Sequence, residues 1–245
     1  MMPDVHAHYT DPAFDADRDS ALAEALESCS YIINAGWDVP SSAAALALAA
    51  EHDNVYAAVG IHPQYHGSSD DIAAMAKRAA AIGETGLDYR RADTEERQRQ
   101  RDMFERHIEI AKEYNLPIVI HCVDAWGDML GILRHYRPRC VLHGFSGSAE
   151  TAREAAGLGA YISFGGRATY PAAKKAHGAM AAVPRDRLLL ETDAPYSPPV
   201  PYSGRCGGNM LAATAEFAAG IIGITAAQLE DIVSANASAL FEINI

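Results

Sequence analysis

Residues 115–124 read Asn115-Leu116-Pro117-Ile118-Val119-Ile120-His121-Cys122-Val123-Asp124. Proline closes a connection, a short apolar run begins a strand, and a histidine stands where that run gives way to a loop. The same order of events recurs along the chain. Candidate strands at 5–9, 31–34, 55–59, 81–84, 118–121, 140–143, 161–164 and 188–191 alternate with helical patterns at 17–28, 41–51, 69–79, 94–114, 124–136, 148–158 and 171–181. Helical stretches at 209–219 and 225–240 follow, after a Pro-, Gly- and Ser-rich loop at 196–208. Eight strands interleaved with helices predict an α/β fold with a parallel sheet, and eight is the number that closes a TIM-like (β/α)8 barrel.

Composition fits that architecture. A chain of 245 residues with 49% hydrophobic residues is enough for one barrel domain over 1–245, and no linker, charge block or low-complexity run divides it. The apolar segments are too short to span a membrane, and the first residues lack a basic-then-apolar leader. Cys29, Cys122, Cys140 and Cys206 show no paired spacing, which reads as reduced thiols in a cytoplasmic protein; no obligate protein partner is inferred. Twenty basic against 32 acidic residues give a net charge of -12, which argues against a broad basic surface for nucleic acid. It leaves phosphate chemistry open, because a metal inverts the charge inside a cleft. Residues 90–113 carry seven basic and seven acidic side chains, and the pattern predicts a solvated, ion-paired helix face.

Function is read from where the ionisable residues stand. His6 and His8 flank one residue, so on a strand they share a face. Glu84, His121 and His143 each end a candidate strand and Asp193 follows one, at the rim where barrel enzymes place their chemistry. Such groups converging on an apolar barrel mouth need a partner for their charge, and a metal supplies it. Imidazole and carboxylate donors suit zinc, manganese or a related ion, while a site mainly of carboxylates and water suits magnesium. Glu84, from the middle of the strand order, is the natural bridge between two divalent ions, and Asp193 can accept the proton of an attacking water.

These blocks resemble the TatD family of metal-dependent deoxyribonucleases. The matching segments are Asp4-Val5-His6-Ala7-His8, Gly60-Ile61-His62-Pro63, Gly83-Glu84-Thr85-Gly86-Leu87-Asp88-Tyr89, Pro117-Ile118-Val119-Ile120-His121, His143-Gly144-Phe145-Ser146-Gly147 and Glu191-Thr192-Asp193-Ala194-Pro195-Tyr196. The resemblance implies phosphodiester hydrolysis in a barrel. His6, His8, Glu84 and Asp193 would hold one metal, and Glu84, His121 and His143 the second. His62 would touch the scissile phosphate, while Asp88 would anchor the Gly86 loop or a histidine and Glu191 would support its strand end. The sequence departs from the family at Gln64, where another histidine is frequent, and at Val123, where an arginine is common. It departs again at 204–210, which replaces an Arg-Asn-x-Pro pattern. Val123 cannot supply the bidentate grip of a guanidinium. Arg167, Lys174, Lys175 and Arg205 are the compensating cations to consider, and Trp126 could stack a nucleobase. The expected substrate is a DNA end or a short single strand cut exonucleolytically. The alternatives are a small phosphoester, amide or lactone, or a noncatalytic metal-binding protein whose mouth is filled by Tyr196 or Tyr202.

Overall fold

The computed structural model describes residues 1–243. Strands β1 (Asp4–Ala7), β2 (Ile32–Ala35), β3 (Val55–Val59), β4 (Ala81–Asp88), β5 (Ile118–Val123), β6 (Cys140–Leu142), β7 (Tyr161–Phe164) and β8 (Leu188–Leu190) lie side by side in chain order. Every adjacent pair from β1–β2 to β7–β8 is parallel. Around them run α1 (Arg18–Ser28), α2 (Val39–Glu51), α3 (Ser69–Ala76), α4 (Thr94–Glu113), α5 (Trp126–Tyr136), α6 (Ala149–Gly157) and α7 (Lys174–Ala182), and α8 (Leu211–Ile222) and α9 (Ala226–Phe241) complete the outer layer. The result is a nearly closed TIM-like barrel. Its strands are buried on both faces, which is why they read as short apolar runs without alternation.

The seam between β8 and β1 closes largely through one side chain. Asp4 is fully buried and accepts hydrogen bonds from the Thr192 backbone N–H (2.9 Å) and hydroxyl (2.5 Å). The Asp193 N–H reaches the His6 carbonyl at 2.9 Å, and the His8 N–H reaches the Ala194 carbonyl at 2.6 Å. The carboxylate thus ties the strand carrying His6 and His8 to the segment carrying Asp193. Asp4→Ala strands two buried donors of Thr192, so we expect a loss of roughly 2–4 kcal/mol in urea unfolding.

Helix starts follow local chemistry. Asp38 and Ser41 form a reciprocal capping box at α2, Thr225 and Gln228 form another at α9, and Asp93 caps α4 by accepting from the Glu96 N–H. On α4 the charged face is ion-paired as the sequence predicts, with Arg99 bound to Glu96, Arg106 to Glu109 and Arg101 to Asp128. Arg90 leaves that pattern and joins the cleft described below.

Some boundaries move. β1 ends at Ala7, two residues before its expected end, and α7 starts at Lys174, three residues late, because residues 171–172 form a turn. β4 runs four residues past Glu84, to Asp88. Its extension depends on Gly86, where φ is +139° and a Cβ would stand 2.1 Å from the His121 carbonyl oxygen. Only glycine lets β4 lie this close to β5 there. Among the described residues, no single helix is long and apolar enough to cross a membrane.

Candidate metal centre

The barrel brings His6, His8, Glu84, His121, His143 and Asp193 to one mouth, and adds His62. Glu84 lies in the middle of β4 and is nearly inaccessible, at 4% exposure. Its two oxygens face different groups. Oε2 lies 3.5 Å from His6 Nε2 and 3.4 Å from His8 Nε2, and these nitrogens are 3.7 and 3.6 Å from Asp193 Oδ1. Oε1 lies 2.8 Å from His143 Nε2, 2.9 Å from His121 Nδ1 and 3.5 Å from His62 Nε2. Donor atoms about 2.1 Å from a shared ion stand roughly 3.4 Å apart in a tetrahedron; the contacts among His6, His8, Asp193 and Glu84 Oε2 match that separation, whereas His143 and His121 stand at hydrogen-bonding distance from Oε1. Three groups with donor atoms within 4.8 Å of one another can hold an ion: His6, His8 and Glu84; His6, His143 and Asp193; and His62, Glu84 and His121.

Neighbouring acceptors decide which nitrogen each ring offers. His8 Nδ1 lies 2.9 Å from the Ala35 carbonyl, which fixes the proton there and leaves the Nε2 lone pair for the centre. His121 turns Nε2 toward Asp88 Oδ2 at 3.4 Å and presents Nδ1, whereas His143 turns Nδ1 toward Glu191 Oε1 at 3.5 Å and presents Nε2. Asp88 and Glu191 therefore act as orienting carboxylates. Glu191 also accepts from the Gly144 N–H at 2.6 Å. His62 differs from the other rings. Its Nδ1 accepts from the Gln64 N–H at 3.1 Å, which places the ring proton on Nε2 and makes that atom a donor. A donor fits contact with a substrate oxygen better than metal ligation.

Charge in the site is strongly coupled. Burial would push Glu84 up, but the charge of His143, with hydrogen bonds from His121 and His143, holds it well below the usual carboxylate range. Burial likewise opposes ionisation of Asp193, and His8 and His6 overcome it. His8, His121 and His143 rise although burial opposes their charge, chiefly through Asp193 for His8, Asp88 and Glu84 for His121, and Glu84 and Glu191 for His143. Burial carries His62 down to about 3, so it is neutral. A raised histidine favours the metal-free fold at low pH and loses that contribution as pH rises through its folded pKa. An ion must displace those protons, so its gain in Tm at fixed concentration should grow from pH 6 to pH 8. The expected loss of affinity is about tenfold per displaced proton for each pH unit below the histidine pKa. Thermal denaturation at paired pH values, with and without zinc or manganese, measures this.

Asp193 is the accessible acid of the set, with its side chain 26% exposed. It has φ +58° and is held by its own N–H to His6 and by the Tyr196 N–H donated to its carbonyl. Aspartate tolerates this left-handed conformation better than most side chains. Beside it opens a cleft of about 340 Å³ whose wall includes His121, His143, Phe145 and Asp193 and the cations Arg90, Arg167 and Lys175.

Two expected substrate contacts do not reach this cleft. Arg205 is held by both Asp17 oxygens (2.7 and 2.6 Å) and lies over the Phe14 ring, because the loop after β8 packs back on α1. Trp126 opens α5 and packs on Phe145 at 4.8 Å between centroids, so Phe145 is the aromatic that faces the cleft. Tyr196 and Tyr202 are 48% and 49% exposed and do not fill the mouth. Sequence reasoning missed Arg90, although its place two residues beyond Asp88, past the end of β4, was a usable signal.

Comparison with known proteins agrees with the geometry. The chain matches the TatD related DNase family over residues 3–242. It is 37% identical, over the full length of both chains, to the uncharacterized metal-dependent hydrolase YabD of Bacillus subtilis. It is 32% identical to the 3'-5' ssDNA/RNA exonuclease TatD of Cronobacter sakazakii, over 98% of this chain and 97% of that one. The crystal structure of YjjV, a TatD homolog from Escherichia coli, superposes with a TM-score of 0.92 at 29% identity, covering 99% of this chain and 98% of that one. The chain belongs to the TatD related DNase family of metal-dependent hydrolases.

Proposed function

We propose that this protein is a two-metal phosphodiesterase that removes nucleotides from the ends of single-stranded DNA. The observation that carries the reading is Glu84, whose two oxygens face separate histidine groups across one buried carboxylate. Divalent ions such as zinc, manganese or magnesium held there supply Lewis acidity that brings deprotonation of water near neutral pH and neutralises charge on a phosphate. His6, His8, Glu84 and Asp193 would hold one ion, and Glu84, His121 and His143 would hold the other. Asp193 accepts the proton of the attacking water at its exposed carboxylate. His62 donates Nε2–H toward a phosphate oxygen, because its Nδ1 is occupied in accepting from the Gln64 N–H.

A terminal nucleotide suits the shape of the site. A small cleft with three cations grips a few phosphates without the long basic track that duplex binding requires. Trp37 and Tyr196 lie 5.6 and 5.9 Å from the His8 ring, and Tyr65 lies 6.0 Å from that of His62. They offer π-faces for unpaired bases on the other side of the centre. The relative from Cronobacter sakazakii carries the name of such an exonuclease. End-labelled single-stranded DNA should be shortened stepwise when divalent metal is added, and chelation should abolish the ladder. An intact oligonucleotide in the presence of folded, metal-loaded protein would refute the reading and direct the search to small phosphoesters.

A further inference from the structure

We propose that Arg90 is the specificity-determining grip for a phosphate next to the scissile one, an inference that rests on the nuclease reading above. Beyond His121 and Cys122, β5 ends at the cleft on Val123, an apolar side chain, and the cleft wall also carries Arg90. In the sheet register Val123 is opposite Asp88, two residues before Arg90, and the Tyr89 N–H donates to the Val123 carbonyl at 3.0 Å. The guanidinium of Arg90 thus stands next to the place where β5 has no donor.

Asp88 holds that guanidinium in place. Arg90 Nε donates to Asp88 Oδ1 at 3.0 Å and to Oδ2 at 3.1 Å, and Nη2 closes the fork on Oδ2. Nη1 makes no protein hydrogen bond among the described residues, and the side chain is 48% exposed. A guanidinium that is already ordered and keeps a free donor binds a phosphate oxygen with little further loss of side-chain freedom. Arg167 and Lys175 share the cleft, but among the described residues no ion pair orders either one. The carboxylate that orders Arg90 also accepts from the Gln64 amide at 2.8 Å and lies 3.4 Å from His121 Nε2. Asp88 therefore fixes the position of the grip relative to the metal centre, which sets where along a strand the scissile phosphate falls.

The test combines Arg90→Ala with oligonucleotides in which one phosphate at a time is a neutral methylphosphonate. For the wild type, neutralising one particular non-scissile linkage should raise KM about tenfold, the scale of one charge-assisted hydrogen bond. Arg90→Ala should raise KM for the unmodified strand by a similar factor, and neutralising that linkage should then cost nothing more. Arg90→Ala should lose much less on bis(p-nitrophenyl) phosphate, which has no flanking phosphate, than on the unmodified strand. If the two penalties multiply while the wild type cuts the unmodified strand, the grip is not Arg90. An equal loss on the small diester would show that Arg90 acts only through Asp88 and His121, which overturns the proposal too. Failure of the wild type to cut the unmodified strand overturns the nuclease reading together with it.

Discussion

Glu84→Gln should lower metal-dependent hydrolysis by at least about 10³-fold while leaving the barrel folded. The amide has nearly the same shape but only one oxygen and no negative charge. Its nitrogen must face either His6 and His8 or His121 and His143, and it repels an ion on whichever side it takes. The loss should appear in kcat, because the centre acts on the reacting phosphate and water more than on distant parts of the substrate. Without the carboxylate, His143 loses the partner that does most to raise its pKa. The metal-free variant should therefore lose stability mainly above the ordinary carboxylate pKa and below the raised pKa of His143, where both partners are charged in the wild type. Steady-state kinetics with circular dichroism as the fold control checks this, and an activity within tenfold of wild type would remove Glu84 from the mechanism.

Asp193→Asn should reduce kcat by about 10²- to 10⁴-fold, the usual range for loss of a general base. Asparagine tolerates φ +58° as aspartate does, so the backbone needs no repair, whereas alanine would add strain of about 1–2 kcal/mol. The amide can still approach an ion through its oxygen but cannot take a proton. KM should change far less than kcat, and the acidic limb of the pH profile should flatten. A drop confined to KM would assign Asp193 to substrate binding.

The barrel was legible in the sequence because strands covered on both faces must be short, apolar and separated by helices, as Ile118 to Ile120 before His121 show. The residues at the mouth were legible for a related reason, since an ionisable side chain directly after such a run has to sit at the rim. The structure brings the six expected metal-site residues within contact of one another. Its additions are long-range and left little trace in local pattern. Asp4 meets Thr192 across the seam, Asp88 turns the His121 ring, and Glu191 approaches His143 Nδ1. Arg205 and Trp126 were misplaced because a loop residue's destination depends on packing. Asp17 captures the first, and Phe145 covers the second. Gln64 read as a missing histidine, and the structure gives it two tasks, fixing the His62 ring proton and binding Asp88.

The most direct test of the account is the metal content of the folded protein, counted by elemental analysis after equilibration with zinc or manganese and removal of free ion, for the wild type and Glu84→Ala. If one carboxylate serves two ions through its two oxygens, the wild type holds two per chain and the variant holds at most one, bound more weakly. Two ions retained in Glu84→Ala, or a single ion in the fully loaded wild type, would contradict it.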